Sequence, residues 1–296
     1  MQVTSALGMK IMKLISHIDR QAYELAKGYL PSLNIDGVTE SLVEKYLNPL
    51  SLNPKPTSKS GLFQRILESA QNANMKAGVI GRSIGGVGRL GIVLANFDPK
   101  AVLAKYGDSW EAVLDDIVEK LNPRGQIRRT SRSIWPHYCQ TILSAAQFVE
   151  QFASADDFFK WVDFFDQDER ARASLPMLLS HEIVGFGFAL SCDFLKELGY
   201  VNFPKPDVHL RDIFTALELC EDKDDDYHLF KAIIRVSANA NVTPYNADKA
   251  FWLVGSGYFY EDLHIGSNGR IGNHKQAFIE FARRKIYEKK RPQQDG

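Results

Sequence analysis

Apolar residues recur along most of this chain at three- and four-residue intervals, the period of a helix with one buried face, and alternation of the strand type is scarce. The pattern predicts helices over residues 15–30, stopped by Pro31, and from Thr39, where Leu42, Val43, Tyr46 and Leu47 form a stripe. The polar, proline-bearing SLNPKPTSKSG from Ser51 to Gly61 reads as a connector between packing units. Further helices are expected over 62–77, as two segments within 98–121 entered by the Asp98-Pro99 cap, and over 134–152 and 155–165. Others follow over 188–198, from Val208, over 227–236 and 247–254, and over 275–289. Thr243-Pro244 reads as a capped turn and 264–273 as a turn or small hairpin. No internal repeat is visible, and the fold class that follows is all-α.

At 296 residues the chain is long enough for one large or two smaller cores, and 45% apolar with 24% charged residues is ordinary for a globular protein. Formal charge is zero and the pI near 7.1, so a surface for an anionic polymer has to be a local patch. The basic candidates are Arg124, Arg128, Arg129 and Arg132, which read equally as a solvated loop or as part of such a surface. Cys139, Cys192 and Cys220 lie far apart, which predicts reduced thiols and a cytoplasmic setting. No His or Cys pair has ligand spacing, so neither metal nor cofactor is expected, and the N-terminus shows neither a signal peptide nor a membrane span.

Two glycine-bearing stretches invite chemistry. GRSIGGVGRLG, residues 81–91, lacks the strand before it that a dinucleotide fingerprint needs and the Lys-Ser/Thr ending of a Walker loop. It reads either as a turn that lets helices pack closely or as a loop in which Arg82 and Arg89 meet a phosphate backbone. The second runs from Leu178 to Phe214. Gly185 and Gly187 flank Phe186, and missing Cβ atoms there permit positive φ and a close backbone approach. The helix that follows, opening on Phe188 and Ala189, offers first-turn N–H groups to a phosphate. Gly199 ends it, Pro204 and Pro206 stiffen the next loop, and Asp207 stands as an N-cap candidate before Val208-His209-Leu210-Arg211.

This stretch resembles the helix-hairpin-helix DNA glycosylase superfamily, the relatives of endonuclease III, MutY and the 8-oxoguanine glycosylases. The family's Gly-hydrophobic-Gly hairpin matches Gly185-Phe186-Gly187, and its Val-Asp-Thr-His-Val-x-Arg segment matches Pro206-Asp207-Val208-His209-Leu210-Arg211. The end of the helix at Ser69-Ala70-Gln71-Asn72-Ala73 is similar to the family's early Ser-Ala-Gln-Ala-Thr. The resemblance spans residues 61 to 255 in order, with these two segments its specific parts. It implies a six-helix barrel over 61–207 and a second helical lobe from 1–60 with 208–296, the active-site cleft lying between them. It further implies a monomer acting on double-stranded DNA that holds a damaged or modified base.

By the same resemblance Asp207 is the catalytic carboxylate, while Gly185, Gly187, Phe188 and Ala189 hold the DNA backbone. Gln71 or Asn72 fills the gap left by an extruded base; Arg82, Arg89, Arg128 and Arg129 are further DNA contacts only where the glycine stretch and the basic run are read as DNA-facing instead of as a packing turn and a solvated loop. Two departures matter. The lysine nucleophile of the bifunctional members, two residues past the second glycine, is Ala189 here, which implies hydrolysis without strand nicking. The four clustered C-terminal cysteines of the iron-sulfur relatives are absent from the sequence. The rival readings are a non-catalytic helix-hairpin-helix DNA binder, and a protein of another class that holds a nucleotide phosphate at 81–91. Which base is removed, in repair or in defence against modified viral DNA, is not written in these motifs.

Overall fold

The computed structural model describes residues 2–48, 54–72, 78–221 and 225–288. Among these the chain is all-α, with no strand and only isolated bridges from Tyr258 and Ser267 to Arg270 in the expected turn region. The helices are α1 (Gln2–Ser32), α2 (Glu40–Leu47), α3 (Lys59–Ala70), α4 (Val79–Ile84), α5 (Pro99–Tyr106), α6 (Trp110–Leu121), α7 (Ile134–Glu150) and α8 (Ala155–Gln167). They continue as α9 (Glu169–Arg172), α10 (Ser174–Glu182), α11 (Phe188–Glu197), α12 (Val208–Ala216), α13 (Asp226–Ala240), α14 (Pro244–Ser256) and α15 (Lys275–Tyr287).

Local chemistry explains many of the boundaries. Thr39 accepts the Leu42 N–H and Asp98 the Ala101 N–H, each at 3.1 Å, while Thr243 and Asn246 close a reciprocal capping box at α14. Two helices differ from the periodicity. α1 begins at Gln2 instead of near Ile15, because Met9, Ile11, Met12 and Leu14 are exposed and so add no buried stripe for the eye to follow. α3 ends at Ala70, with Gln71 as its C-cap, and residues 73–77 of the expected longer helix lie outside the described residues.

The chain divides into two compact units, Asn53–Tyr200 and Met1–Leu52 with Val201–Gly296. The sequence reading set these limits at 61 and 207; the segment 201–207, Asp207 included, belongs to the unit formed by both chain ends. In the 53–200 unit α7 is the central element, against which α3, α5 and α6 pack. Its Tyr138 is fully buried and places its hydroxyl 2.8 Å from the Leu67 carbonyl of α3, satisfying the one polar atom of a large core side chain. In the other unit the core runs through Phe214 of α12, Phe251 of α14 and Phe278 of α15, with ring centroids 4.9 and 6.5 Å apart in turn.

Candidate active site

The hairpin joins α10 to α11. Its turn is fastened to α7: Ser144 Oγ accepts the Val184 N–H at 2.9 Å, and Phe186 N–H returns to the Ile183 carbonyl at 3.0 Å. Phe186 is buried against Phe194, ring to ring at 5.8 Å, which explains why the residue between the glycines is apolar. Gly185 has φ +86°, and a Cβ there would stand 3.0 Å from both His137 Nε2 and Thr141 Oγ1, so this position needs glycine for both conformation and space.

Gly187 corrects the expectation. Its backbone is extended at φ −101° and ψ 170°, and nothing lies within 4 Å of where a Cβ would be. As the N-cap of α11, Gly187 takes the β-region conformation open to any residue, so its glycine is not required by φ. No side chain caps α11; the Gly187 carbonyl accepts the Ser191 N–H at 2.9 Å, and Phe188 and Ala189 form the first helical turn, both part-buried. An exposed helix start without a capping side chain is suited to an anion.

In the same unit Gln71, Asn72 and Arg82 line one cavity of about 680 Å³ together with Arg65 and Glu197. Gln71 Oε1 accepts the Gly81 N–H at 3.3 Å, so one end of its amide is held by the glycine stretch. That stretch is not a loop but two short turns of helix, α4 and the 3-10 segment Val87–Ile92, broken at Gly85 and Gly86, both at positive φ. Gly81 and Gly91 are close-packing positions, where a Cβ would meet Gln71 Oε1 at 2.8 Å and the Phe97 ring at 3.2 Å. Arg82 is exposed, whereas Arg89 turns back and donates to the Ile84 carbonyl at 2.9 Å, closing the end of α4. The basic run 124–132 is not wholly unneutralised: Arg129 pairs with Asp115 at 2.6 Å, while Arg128 is exposed.

Asp207 caps α12, its Oδ1 accepting the His209 and Leu210 N–H groups at 2.9 and 3.1 Å. The cap uses that one oxygen only. The carboxyl is partly buried, and its proton affinity is raised, first by desolvation and next by the charge of Asp248, against the lowering pull of the Leu210 amide, His209 and Lys205. Asp248 lies on α14, 1% exposed, and its Oδ2 accepts the Lys205 N–H at 2.9 Å. α14 meets the start of α12 at a second point, where a Cβ on Gly255 would fall 2.6 Å from His209 Cβ. His209 Nδ1 is buried with no hydrogen-bond partner among the described residues, and His209 lines a cavity of about 300 Å³ with Arg270 and Lys275.

Ala189 carries no amine, and Lys196 and Lys249 are both engaged. Lys196 pairs with Asp193 at 3.3 Å. Lys249, 8% exposed, lies 3.2 Å from Tyr260 Oη and within 4.9 Å of the Trp252 and Tyr260 ring centres. Sequence reasoning marked the Asp248-Lys249 segment as distinctive but gave Asp248 no role. The signal was there: two adjacent opposite charges inside the otherwise apolar pattern of α14.

No protein-family model and no curated protein matches the chain. Among solved structures it is similar to the Methanocaldococcus jannaschii 8-oxoguanine glycosylase/lyase in complex with 15mer DNA containing 8-oxoguanine, at 14% identity over 66% of this chain and 81% of that one, with a TM-score of 0.41. A likeness this distant leaves the chemistry to be read from the side chains themselves.

Proposed function

We propose that this chain is a monofunctional DNA glycosylase, which rotates a damaged or modified nucleotide out of the duplex and hydrolyses its N-glycosidic bond. The observation that carries the reading is Asp207: a partly buried carboxylate of raised proton affinity, at the family's position in the sequence, with one oxygen fixed by the α12 amides. Departure of the base leaves positive charge on the sugar. A carboxylate held in place stabilises that oxocarbenium character and orients or deprotonates the attacking water. A cap bond on Oδ1 restrains the side chain without consuming Oδ2, and a carboxyl with raised proton affinity is the better base.

The hairpin serves the same reading. The exposed start of α11 takes a backbone phosphate through N–H groups, which fixes the strand and reads no sequence. Gln71, Asn72 and Arg82 line one cavity, and in this reading they fill the space the extruded base leaves. Ala189 supplies no amine, so water is the nucleophile and the product is an intact abasic strand.

The test is incubation with a panel of duplexes carrying oxidised purines, alkylated bases, mismatches and hypermodified viral cytosines, followed by mass spectrometry of free base. Release of one class of base supports the reading. Tight binding of a duplex with an abasic-site analogue, with no base freed from any member of the panel, would instead favour the non-catalytic DNA binder.

A further inference from the structure

The segment before Asp207 is Pro204-Lys205-Pro206, and its two prolines carry no N–H. The only backbone donors from 204 to 207 are therefore those of Lys205 and Asp207. Asp207 N–H turns back to the Lys205 carbonyl at 2.9 Å, a three-residue turn about Pro206, whose φ is fixed by its ring. Lys205 N–H goes to Asp248 Oδ2 at 2.9 Å. The Lys205 residue is thus gripped on both sides, by Asp248 at its N–H and by Asp207 at its carbonyl. Each proline also restricts the residue before it to extended conformations, so little slack remains between the two aspartates.

Burying a carboxylate is costly, and Asp248 is 1% exposed on a helix whose other inward residues are mostly apolar. An apolar residue at 248 would pack there without the cost, so the charge calls for a use beyond packing. From the Pro204–Pro206 segment its use is plain: it accepts the one N–H that segment sends outward.

We propose that Asp248 is the positioning residue of Asp207, a buried carboxylate that anchors the Pro-Lys-Pro strap through Lys205 N–H and so aims the Asp207 side chain at the start of α12. Its catalytic meaning rests on the glycosylase reading; the positioning itself does not. Burial first, and the charge of Asp248 next, raise the proton affinity of Asp207. The charged groups that face Asp207 are Asp248 from α14, His209 from α12 and Lys205 from the strap, and of these Asp248 alone raises its proton affinity.

The experiment compares Asp248→Asn and Asp248→Ala with the wild-type chain by three measurements. The first is the titration of Asp207 by NMR of protein labelled at the aspartate carboxyl carbon, with the resonance identified by its loss in Asp207→Asn. The second is amide exchange at His209 and Leu210, whose N–H groups the aimed carboxylate caps. The third is the single-turnover rate of base release against pH.

Asparagine keeps an acceptor for Lys205 N–H and removes the charge. The Asp207 midpoint then falls, and the acid limb of the rate profile moves down with it, while the plateau rate stays within a few fold. Alanine removes the acceptor as well. Exchange at His209 and Leu210 then quickens and the plateau rate falls about a hundredfold, the scale set by a misplacement of roughly 1 Å, with duplex affinity unchanged. An unmoved midpoint in Asp248→Asn, or wild-type exchange in Asp248→Ala, overturns the proposal. Should no duplex release a base with the wild-type chain, the glycosylase reading fails, and the two NMR measurements decide the positioning role without it. Asp248→Asn, nearly isosteric, keeps the test open if Asp248→Ala does not fold.

Discussion

Replacing each hairpin glycine separates structure from DNA binding, because the two positions differ in what a side chain meets. At Gly185 an alanine must adopt φ near +86°, which costs an L residue about 1–2 kcal/mol. Its Cβ also stands 3.0 Å from His137 Nε2 and Thr141 Oγ1, closer than packed atoms tolerate, and overpacking of this kind costs about 1–3 kcal/mol. Gly185→Ala is therefore expected to lose roughly 2–5 kcal/mol of stability. At Gly187 the backbone is already extended and the space is open, so Gly187→Val loses only the N-cap preference of glycine over valine, at most about 1 kcal/mol. The valine does, however, shield the amides at the start of α11. A hydrogen bond to a charged group contributes about 1.5–3 kcal/mol, so duplex affinity falls roughly ten- to hundredfold. Urea unfolding gives the stabilities, and fluorescence anisotropy over a salt series gives the affinities. The loss extends to undamaged duplexes, and the salt slope drops by about one phosphate contact. A folded Gly187→Val that binds every duplex as tightly as the wild-type chain, or weakens on damaged DNA alone, would refute the reasoning.

Asp207→Ala removes both Oδ1 cap bonds and is expected to cost about 1 kcal/mol by urea unfolding, whereas Asp207→Asn keeps a capping oxygen. Because the folded-state proton affinity of Asp207 is raised, its ionisation opposes folding. Its contribution is fully present below the ordinary carboxylate range and is lost as pH rises through the folded-state pKa. Asp207→Asn thus gains on the wild-type chain across that window and holds the gain at neutral pH; a stability difference independent of pH would contradict this. Borohydride added during turnover should trap no protein–DNA adduct, and a strong trapped band lost on mutating Lys196, Lys205 or Lys249 would identify an amine nucleophile after all. Arg82→Ala should weaken duplex binding more than Arg129→Ala, since Arg129 is paired with Asp115; equal effects would remove Arg82 from the DNA surface.

The helices were legible because their boundaries follow from local chemistry. Asp98-Pro99, Thr39 and Thr243 cap as short-range rules require, and the buried stripes of α7 and α8 recur at helical spacing. Gly185 was legible for the same reason, whereas Gly187 was misread, because a glycine's letter does not say whether its φ is positive. Asp207 was legible as an N-cap, because its cap bonds are local to the start of α12. The Lys205 partner of Asp248 was not, although the charge itself stands out in α14, since that bond joins residues 43 positions apart in sequence. The pairing of Arg129 with Asp115 and the return of Arg89 to the Ile84 carbonyl were equally hidden, as charge runs do not reveal which arginines are already spent.

The central claim, that Asp207 carries the chemistry, is tested most directly by the single-turnover rate of base release with Asp207→Asn on the duplex from which the wild-type chain releases a base. The amide keeps the cap and the fold yet supplies no negative charge to the developing cation. The account predicts at least a hundredfold loss of rate, about 2.7 kcal/mol or more, with duplex affinity unchanged. An undiminished rate would contradict it and leave Asp207 as a helix cap alone.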